Sequence, residues 1–424
     1  MTPALAAAQA RYAAKRPRSA ELAERARAVI PGGTSRAVID VDPFPFRVAR
    51  AAGARLTDVD GFDYVDLLGD FTAGLLGHSP EPVAEAVRAR LERGWSIGAT
   101  HEDELRLAEL LTGRFPAIDQ LRFTNSGTEA TIMAVQLARH VTGRAGIVVA
   151  DGGYHGGLLN FSGHGEPLQA PLPIRQVTHG DLEALEAALS ADPAPACVLL
   201  EWMLGAGGCL PPPEDYFAGV RELCDRHGVL FILDEVMTSR MSVGGAQHRF
   251  GLQPDLTTLG KYLGGGLGFG AFGGRADLMA AFDPRRGGDV MHGGTFNNNA
   301  LSMAAGVAAV GMLDTATLDA LFDRGDGLRA QLTKVTEASG APFRVTGCGS
   351  LIGLHAHPGP VETAADVRAA DADLGQLLFH QLLDRGFYYA PRGFIALSLP
   401  LTDDDLASFV SAFGEALEQV LVQG

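Results

Sequence analysis

From about Phe115 to Val310, short apolar runs alternate with helix-period segments. Such alternation is what a parallel sheet covered by helices produces. The strand candidates are Ile147 to Ala150, Cys197 to Leu200, Val229 to Leu233, Leu256 to Leu259 and Gly270 to Phe272, each followed by polar or glycine-rich residues. Residues Met1 to Ile30 mix alanines with arginines and glutamates and read as mostly helix. Beyond the break at Pro31-Gly32-Gly33, Arg47 to Asp66 alternates apolar residues with turns such as Asp60-Gly61, the pattern of a small antiparallel sheet. Pro80 to Phe115 has a helical period, and an alanine-rich helical stretch follows Leu301. A final part has its own strands near Leu351 to His355 and Ile395 to Ser398. The expected organisation is an N-terminal segment of a small α+β domain over 1–65, a large α/β domain over 66–310, and the rest of the small domain over 311–424.

Composition narrows the class. A chain of 424 residues exceeds one small core, and 46% hydrophobic with 20% charged residues describes neither a disordered nor a collagen-like protein. The formal charge of −16 argues against a nucleic-acid partner, because phosphate binding needs a basic surface. Cys197, Cys209, Cys224 and Cys348 stand too far apart for a CxxC metal or redox pair, so reduced thiols in a cytoplasmic protein without a metal are expected. The N-terminus lacks the continuous apolar core of a signal peptide, and no run approaches a membrane span.

Candidate chemistry gathers where strands end, which is where α/β folds bind ligands. The run Val229 to Leu233 delivers Asp234 and Glu235, and a carboxylate there can face a bound cation. The same pair also suits a helix cap or a structural salt bridge. Leu256 to Gly260 ends in Lys261, with Gly264-Gly265-Gly266 close behind. A lysine with a lowered pKa can form a Schiff base, although most lysines simply lie on the surface. In Phe123-Thr124-Asn125-Ser126-Gly127-Thr128-Glu129-Ala130, small hydroxyl residues and a glycine precede a helix expected over Thr131 to His140. Such a start can hold a phosphate on backbone N–H groups, or serve as an ordinary serine cap with Glu129 in the first turn. Glycines around Tyr154 and His155 let the backbone bend and bring one of these rings over a flat ligand; a glycine turn with a surface aromatic fits them too.

In order along the chain, Asn125-Ser126-Gly127-Thr128-Glu129-Ala130, Tyr154-His155-Gly156, Glu201, Asp234-Glu235-Val236, Lys261 with its triple glycine, and Gly294-Thr295-Phe296 resemble the class III aminotransferases. The resemblance implies a fold type I enzyme dependent on pyridoxal 5'-phosphate, its large mixed-sheet domain joined to a smaller α+β domain, and working as a homodimer. It makes Lys261 the Schiff-base lysine and proton shuttle, and Asp234 the partner of the pyridine nitrogen. By the same resemblance Ser126, Gly127 and Thr128 hold the phosphate, Thr295 of the neighbouring subunit completes that cup, Tyr154 or His155 stacks on one ring face, Val236 packs on the other, and Glu201 belongs to the cofactor site.

Thr34-Ser35-Arg36, Gly293 to Asn299 and Ala390-Pro391-Arg392-Gly393-Phe394 most resemble aromatic β-amino-acid aminotransferases of bacteria. The implied substrates are a β-amino acid and a 2-oxo acid such as 2-oxoglutarate or pyruvate, with Arg36 and Arg392 meeting a carboxylate through their guanidinium forks. One departure stands out: the family's Glu-Pro is replaced by Glu201-Trp202, and the indole either reshapes the pocket or packs elsewhere. Glutamate-1-semialdehyde aminomutases share Gly260-Lys261 and a stretch like Gly270 to Arg275, so an aminomutase is the nearest alternative. A pyridoxal-phosphate protein without catalysis is the other.

Overall fold

The computed structural model describes residues 1–163 and 168–423. It divides into two units, one of Met1–Pro80 with Leu321–Gly424, the other of Glu81–Ala320. The breaks fall after Pro80 and Ala320 rather than near 65 and 310.

The first unit opens with α1 (Pro3–Lys15) and α2 (Pro17–Arg27), each beginning at a proline, whose missing N–H is no loss in a first turn. Three strands follow, β1 (Val48–Ala52), β2 (Arg55–Asp58) and β3 (Asp63–Asp66), paired antiparallel as their alternation predicts. Buried Arg16 ties them to the helices. Its guanidinium lies 3.3 Å from Asp58 and donates to the Tyr64 hydroxyl at 2.9 and 2.7 Å, while that hydroxyl donates to Asp58 at 2.6 Å.

The second unit runs through α3 (Glu81–Arg93), α4 (Glu102–Arg114), β4 (Gln120–Thr124), α5 (Gly127–Thr142), β5 (Ile147–Ala150), β6 (Ile174–Val177), α6 (Leu182–Leu189), β7 (Cys197–Glu201), α7 (Tyr216–His227), β8 (Leu230–Asp234), α8 (Gly245–Arg249), β9 (Leu256–Gly260), β10 (Gly270–Gly274), α9 (Ala276–Met279) and α10 (Ala300–Gly311). Seven strands form one sheet in the order β4-β10-β9-β8-β7-β5-β6. All run parallel except β10, which is antiparallel to both β4 and β9. The Gly270 to Phe272 run, expected in a parallel sheet, is thus reversed. The short connection Lys261–Phe269 has no room for the helical crossover that a parallel neighbour requires. Every residue of β5, β7, β9 and β10 is buried, which explains why these strands read as unbroken runs rather than alternation.

The chain continues with α11 (Thr315–Ser339), β11 (Arg344–Cys348), β12 (Leu351–His355), α12 (Ala364–Arg368), α13 (Ala372–Asp384), β13 (Phe387–Tyr388), β14 (Phe394–Ala396) and α14 (Asp403–Gln423). In the first unit, β11, β12 and β14 make an antiparallel sheet, and β13 joins β3 in parallel. Among the described residues no single helix is long and apolar enough to cross a membrane.

The two carboxylates after β8 part company. Glu235 is fully buried and serves the fold: its oxygens accept the N–H groups of Ala246 and Gln247 at 2.8 Å each, in the first turn of α8, and the Thr238 hydroxyl at 3.0 Å. Burial nevertheless outweighs these bonds and pushes its pKa up to about 7. Between an ordinary carboxyl value near 4.5 and that value, the folded state holds a proton the unfolded chain has lost, so Glu235 subtracts stability as pH rises through this window. Urea unfolding of the parent and a Glu235→Gln variant at pH 5 and pH 8 tests this. The variant is less stable at pH 5, where its amide meets N–H donors, and its deficit shrinks by up to about 3 kcal/mol at pH 8.

Candidate active site

The ends of three adjacent parallel strands place the central group. Glu201 of β7 pairs in register with Asp234 of β8, and Asp234 with Thr258 of β9. Asp234 is buried, and both its oxygens are held. Oδ1 accepts the Thr258 hydroxyl and the Val236 N–H, each at 3.0 Å. Nδ1 of His155 lies 2.8 Å from Oδ2, the placement of a ring N–H donating to a carboxylate. Nε2 of the same ring is buried and has no hydrogen-bond partner among the described residues. A carboxylate fixed in this way is ready to face a cation, since donors satisfy its lone pairs without neutralising its charge.

Glu201 supports the loop that carries His155. It is fully buried, and its oxygens accept the N–H of Tyr154 at 2.9 Å and of Gly205 at 3.1 Å. Burial raises its pKa to about 7; the nearby His155 opposes the rise and the charge of Asp234 adds to it. Of the two aromatic candidates, His155 is therefore engaged with Asp234, while the Tyr154 ring is 42% exposed.

Lys261 follows β9 directly, at the sheet edge where Asp234 ends the neighbouring strand. Its φ of 59° is in the left-handed region, which costs a non-glycine residue roughly 1–2 kcal/mol. Strain of this kind collects where a side chain must point in one direction for function.

The predicted phosphate cup is the start of α5. Ser126 is its N-cap, with Oγ accepting the Glu129 N–H at 3.2 Å, which is the serine cap offered by the sequence. The N–H groups of Gly127 and Thr128, in the first turn, have no intrahelical partner and add to the positive end of the helix dipole. Side chains crowd this turn. A Cβ on Gly127 would come within 2.9 Å of Val236, and one on Gly156, at φ +101°, would overlap Thr128. Val236 and the Tyr154–Gly156 loop thereby converge on the same helix start.

Thr295 stands exposed in a stretch that includes Met291 and Phe296, exposed by 93% and 62%. The side chain of Asn297 secures this stretch to the helix start, accepting from Asn125 Nδ2 at 3.0 Å. Trp202 lies flat on Phe250, ring centroids 3.9 Å apart and planes 4° from parallel. The indole that opened the question of pocket shape is thus a packing partner of Phe250.

The two candidate carboxylate binders lie in the first unit and share one aromatic ring. The guanidinium groups of Arg36 and Arg392 each sit 5.5 Å from the Phe71 centroid, and Phe71 stacks on Phe394. Arg36 Nη1 donates to Asp70 Oδ1 at 2.7 Å. Asp70, Phe71 and Thr72 have φ of 45°, 51° and 80°, three successive non-glycine residues in the left-handed region. The turn is secured by Asp66, whose Oδ1 accepts the N–H groups of Leu68 and Gly69 and whose Oδ2 meets His78 Nε2 at 2.8 Å.

Thr258, the pairing of His155 with Asp234, and the Asp70 turn were not anticipated from the sequence. The sequence carried a signal for Thr258, a hydroxyl in a strand otherwise read as apolar, and for the start of the turn at Gly69.

Residues 38–417 match the family described as aminotransferase class III. The chain is 45% identical to the β-phenylalanine transaminase of Variovorax paradoxus over 97% of its own length and 95% of that protein. The solved structure of the Variovorax β-phenylalanine aminotransferase superposes with a TM-score of 0.95, covering 97% of this chain and 96% of that one. This chain is also 41% identical to a glutamate-1-semialdehyde 2,1-aminomutase of Sorangium cellulosum, over 98% of its own length and 100% of that protein. A solved transaminase with PLP bound is 32% identical, with a TM-score of 0.88 over 96% of this chain and 99% of that one. With the buried carboxylate, the strand-end lysine and the helix-start cup in the family's order, this chain belongs to the class III aminotransferases, pyridoxal-phosphate enzymes of fold type I.

Proposed function

We propose that this enzyme takes the amino group of an aromatic β-amino acid and passes it to a 2-oxo acid, working as a cytoplasmic homodimer. The observation that carries the reading is Asp234, a buried carboxylate held by Thr258, Val236 and His155 on the strand next to the one that Lys261 follows. These residues fit pyridoxal phosphate: a carboxylate for its ring nitrogen, N–H donors at the α5 start for its phosphate, and an amine for its aldehyde carbon. When bound, the cofactor supplies an electron sink for the pair left behind as a proton leaves the amine-bearing carbon.

Each residue then has a task. Asp234 keeps the ring nitrogen protonated, and the His155 N–H and Thr258 O–H keep Asp234 oriented. The backbone of Gly127 and Thr128, with Ser126, grips the phosphate. Tyr154 is assigned the stacking role, since the His155 ring serves Asp234, and Val236 the opposite face. Lys261 Nζ would remove the proton from the amine-bearing carbon and deliver it to the former aldehyde carbon of the cofactor, so that the amino group stays behind when the keto acid leaves. Arg36 and Arg392 recognise the substrate carboxylate. Exposed Trp95, Met291 and Phe296 support a dimer, in which Thr295 of the partner subunit would complete the phosphate cup.

The test supplies 3-amino-3-phenylpropanoate with 2-oxoglutarate or pyruvate and follows keto-acid release together with the cofactor's absorption. Conversion that needs the acceptor is expected. An isomeric product formed without any acceptor would instead establish an aminomutase. Lys261→Ala lowers kcat by at least about 10³-fold in the same assay. Thr258→Val removes one hydrogen bond to a charged group, and cofactor titration of the stripped protein shows about tenfold weaker binding.

A further inference from the structure

Arg36 is held from two sides by a single turn. Asp70 Oδ1 takes its Nη1 at 2.7 Å, and the Phe71 ring lies 5.5 Å from its guanidinium carbon. Among the described residues, Nε and Nη2 of Arg36 make no hydrogen bond with the protein. That edge of the fork is the one that meets a carboxylate through two parallel bonds. The turn itself is an outlier: Asp70, Phe71 and Thr72 are all left-handed, and Gly69 before them has φ 52°. The Arg36–Asp70 pair itself adds little stability, because both its members are about half exposed. Strained backbone held in place by its surroundings, with a side chain aimed at a candidate binding group, is the pattern of a functional placement.

We infer that Asp70 is a positioning residue for Arg36: by taking Nη1 it turns the Nε–Nη2 edge outward as a preset docking edge for the substrate carboxylate. The inference rests on the reading of Arg36 as a carboxylate binder. A long, flexible arginine otherwise gives up rotamer freedom when it binds, and a neighbour that fixes the side chain beforehand lowers that loss. Phe71, delivered by the same turn, limits the guanidinium plane from the side.

Holoenzyme variants separate this role from a general structural one. With 3-amino-3-phenylpropanoate as donor, Asp70→Ala raises KM about tenfold and changes kcat by less than about twofold. The inhibition constant of 3-phenylpropanoate, which has the carboxylate but no amine, rises by a similar factor. Asp70→Asn keeps the shape and a neutral acceptor, so its KM and inhibition constant rise only about threefold. If Asp70→Ala does not fold, Asp70→Asn carries the test. Unchanged KM and inhibition constant, or a fall in kcat alone, overturns the inference. Arg36→Ala provides the control: if it raises KM while the Asp70 variants do not, the positioning role fails and the carboxylate reading stands. If Arg36→Ala leaves KM unmoved, the carboxylate reading fails and the positioning role falls with it.

Discussion

A carboxylate can be kept charged inside a protein only if its neighbours satisfy it, and much of the second unit is arranged to do that for Asp234. Thr258 reaches it because β8 and β9 are parallel and in register. His155 reaches it because Glu201, one strand further along, holds the loop that carries the histidine. The resulting row crosses three strand ends and ends beside Lys261. Removing the parallel register would move the hydroxyl, the acid and the lysine onto different edges.

The position of the row was readable because buried parallel strands announce themselves as continuous apolar runs. Cys197 to Leu200, Val229 to Leu233 and Leu256 to Leu259 each lie within one residue of an observed strand end. Asp234 and Lys261, standing just past such runs, were therefore visible as candidates, and the order of the motifs supplied their roles. Strand β6 was less visible: Ile174-Arg175-Gln176-Val177 is a partly exposed edge strand with two polar residues in its middle. The direction of β10 is set by the length of a connection rather than by composition. Tyr154 and His155 stand as alternatives for a stacking ring, because the sequence shows two aromatics between glycines and says nothing of which nitrogen faces which acid.

The Asp70 turn marks a different limit. Gly69 and Asp70 suggest a turn, whereas Phe71 and Thr72 have no local preference for the left-handed region. Their conformation is imposed by distant partners: Leu67 accepts from the Ala396 N–H and donates to the Tyr388 carbonyl, while Asp66 fixes the next two N–H groups. Such tertiary override leaves no periodic trace. In the same way Trp202 could be located from sequence but not its neighbour, because Phe250 arrives from another element.

The edge position of β4 has a temporal consequence. β4 ends at Thr124, immediately before the proposed phosphate cup, yet its hydrogen-bonded neighbour is β10, which starts at Gly270. A chain emerging from the ribosome therefore makes the cup strand long before the strand that pins it, whereas β7, β8 and β9 find their neighbours one crossover at a time. Assembly of the acid and lysine row can precede closure of the cup. The half-built chain thus exposes an unpaired strand edge next to the positive end of a helix, and the connection that leads to the closing strand β10 begins at Lys261.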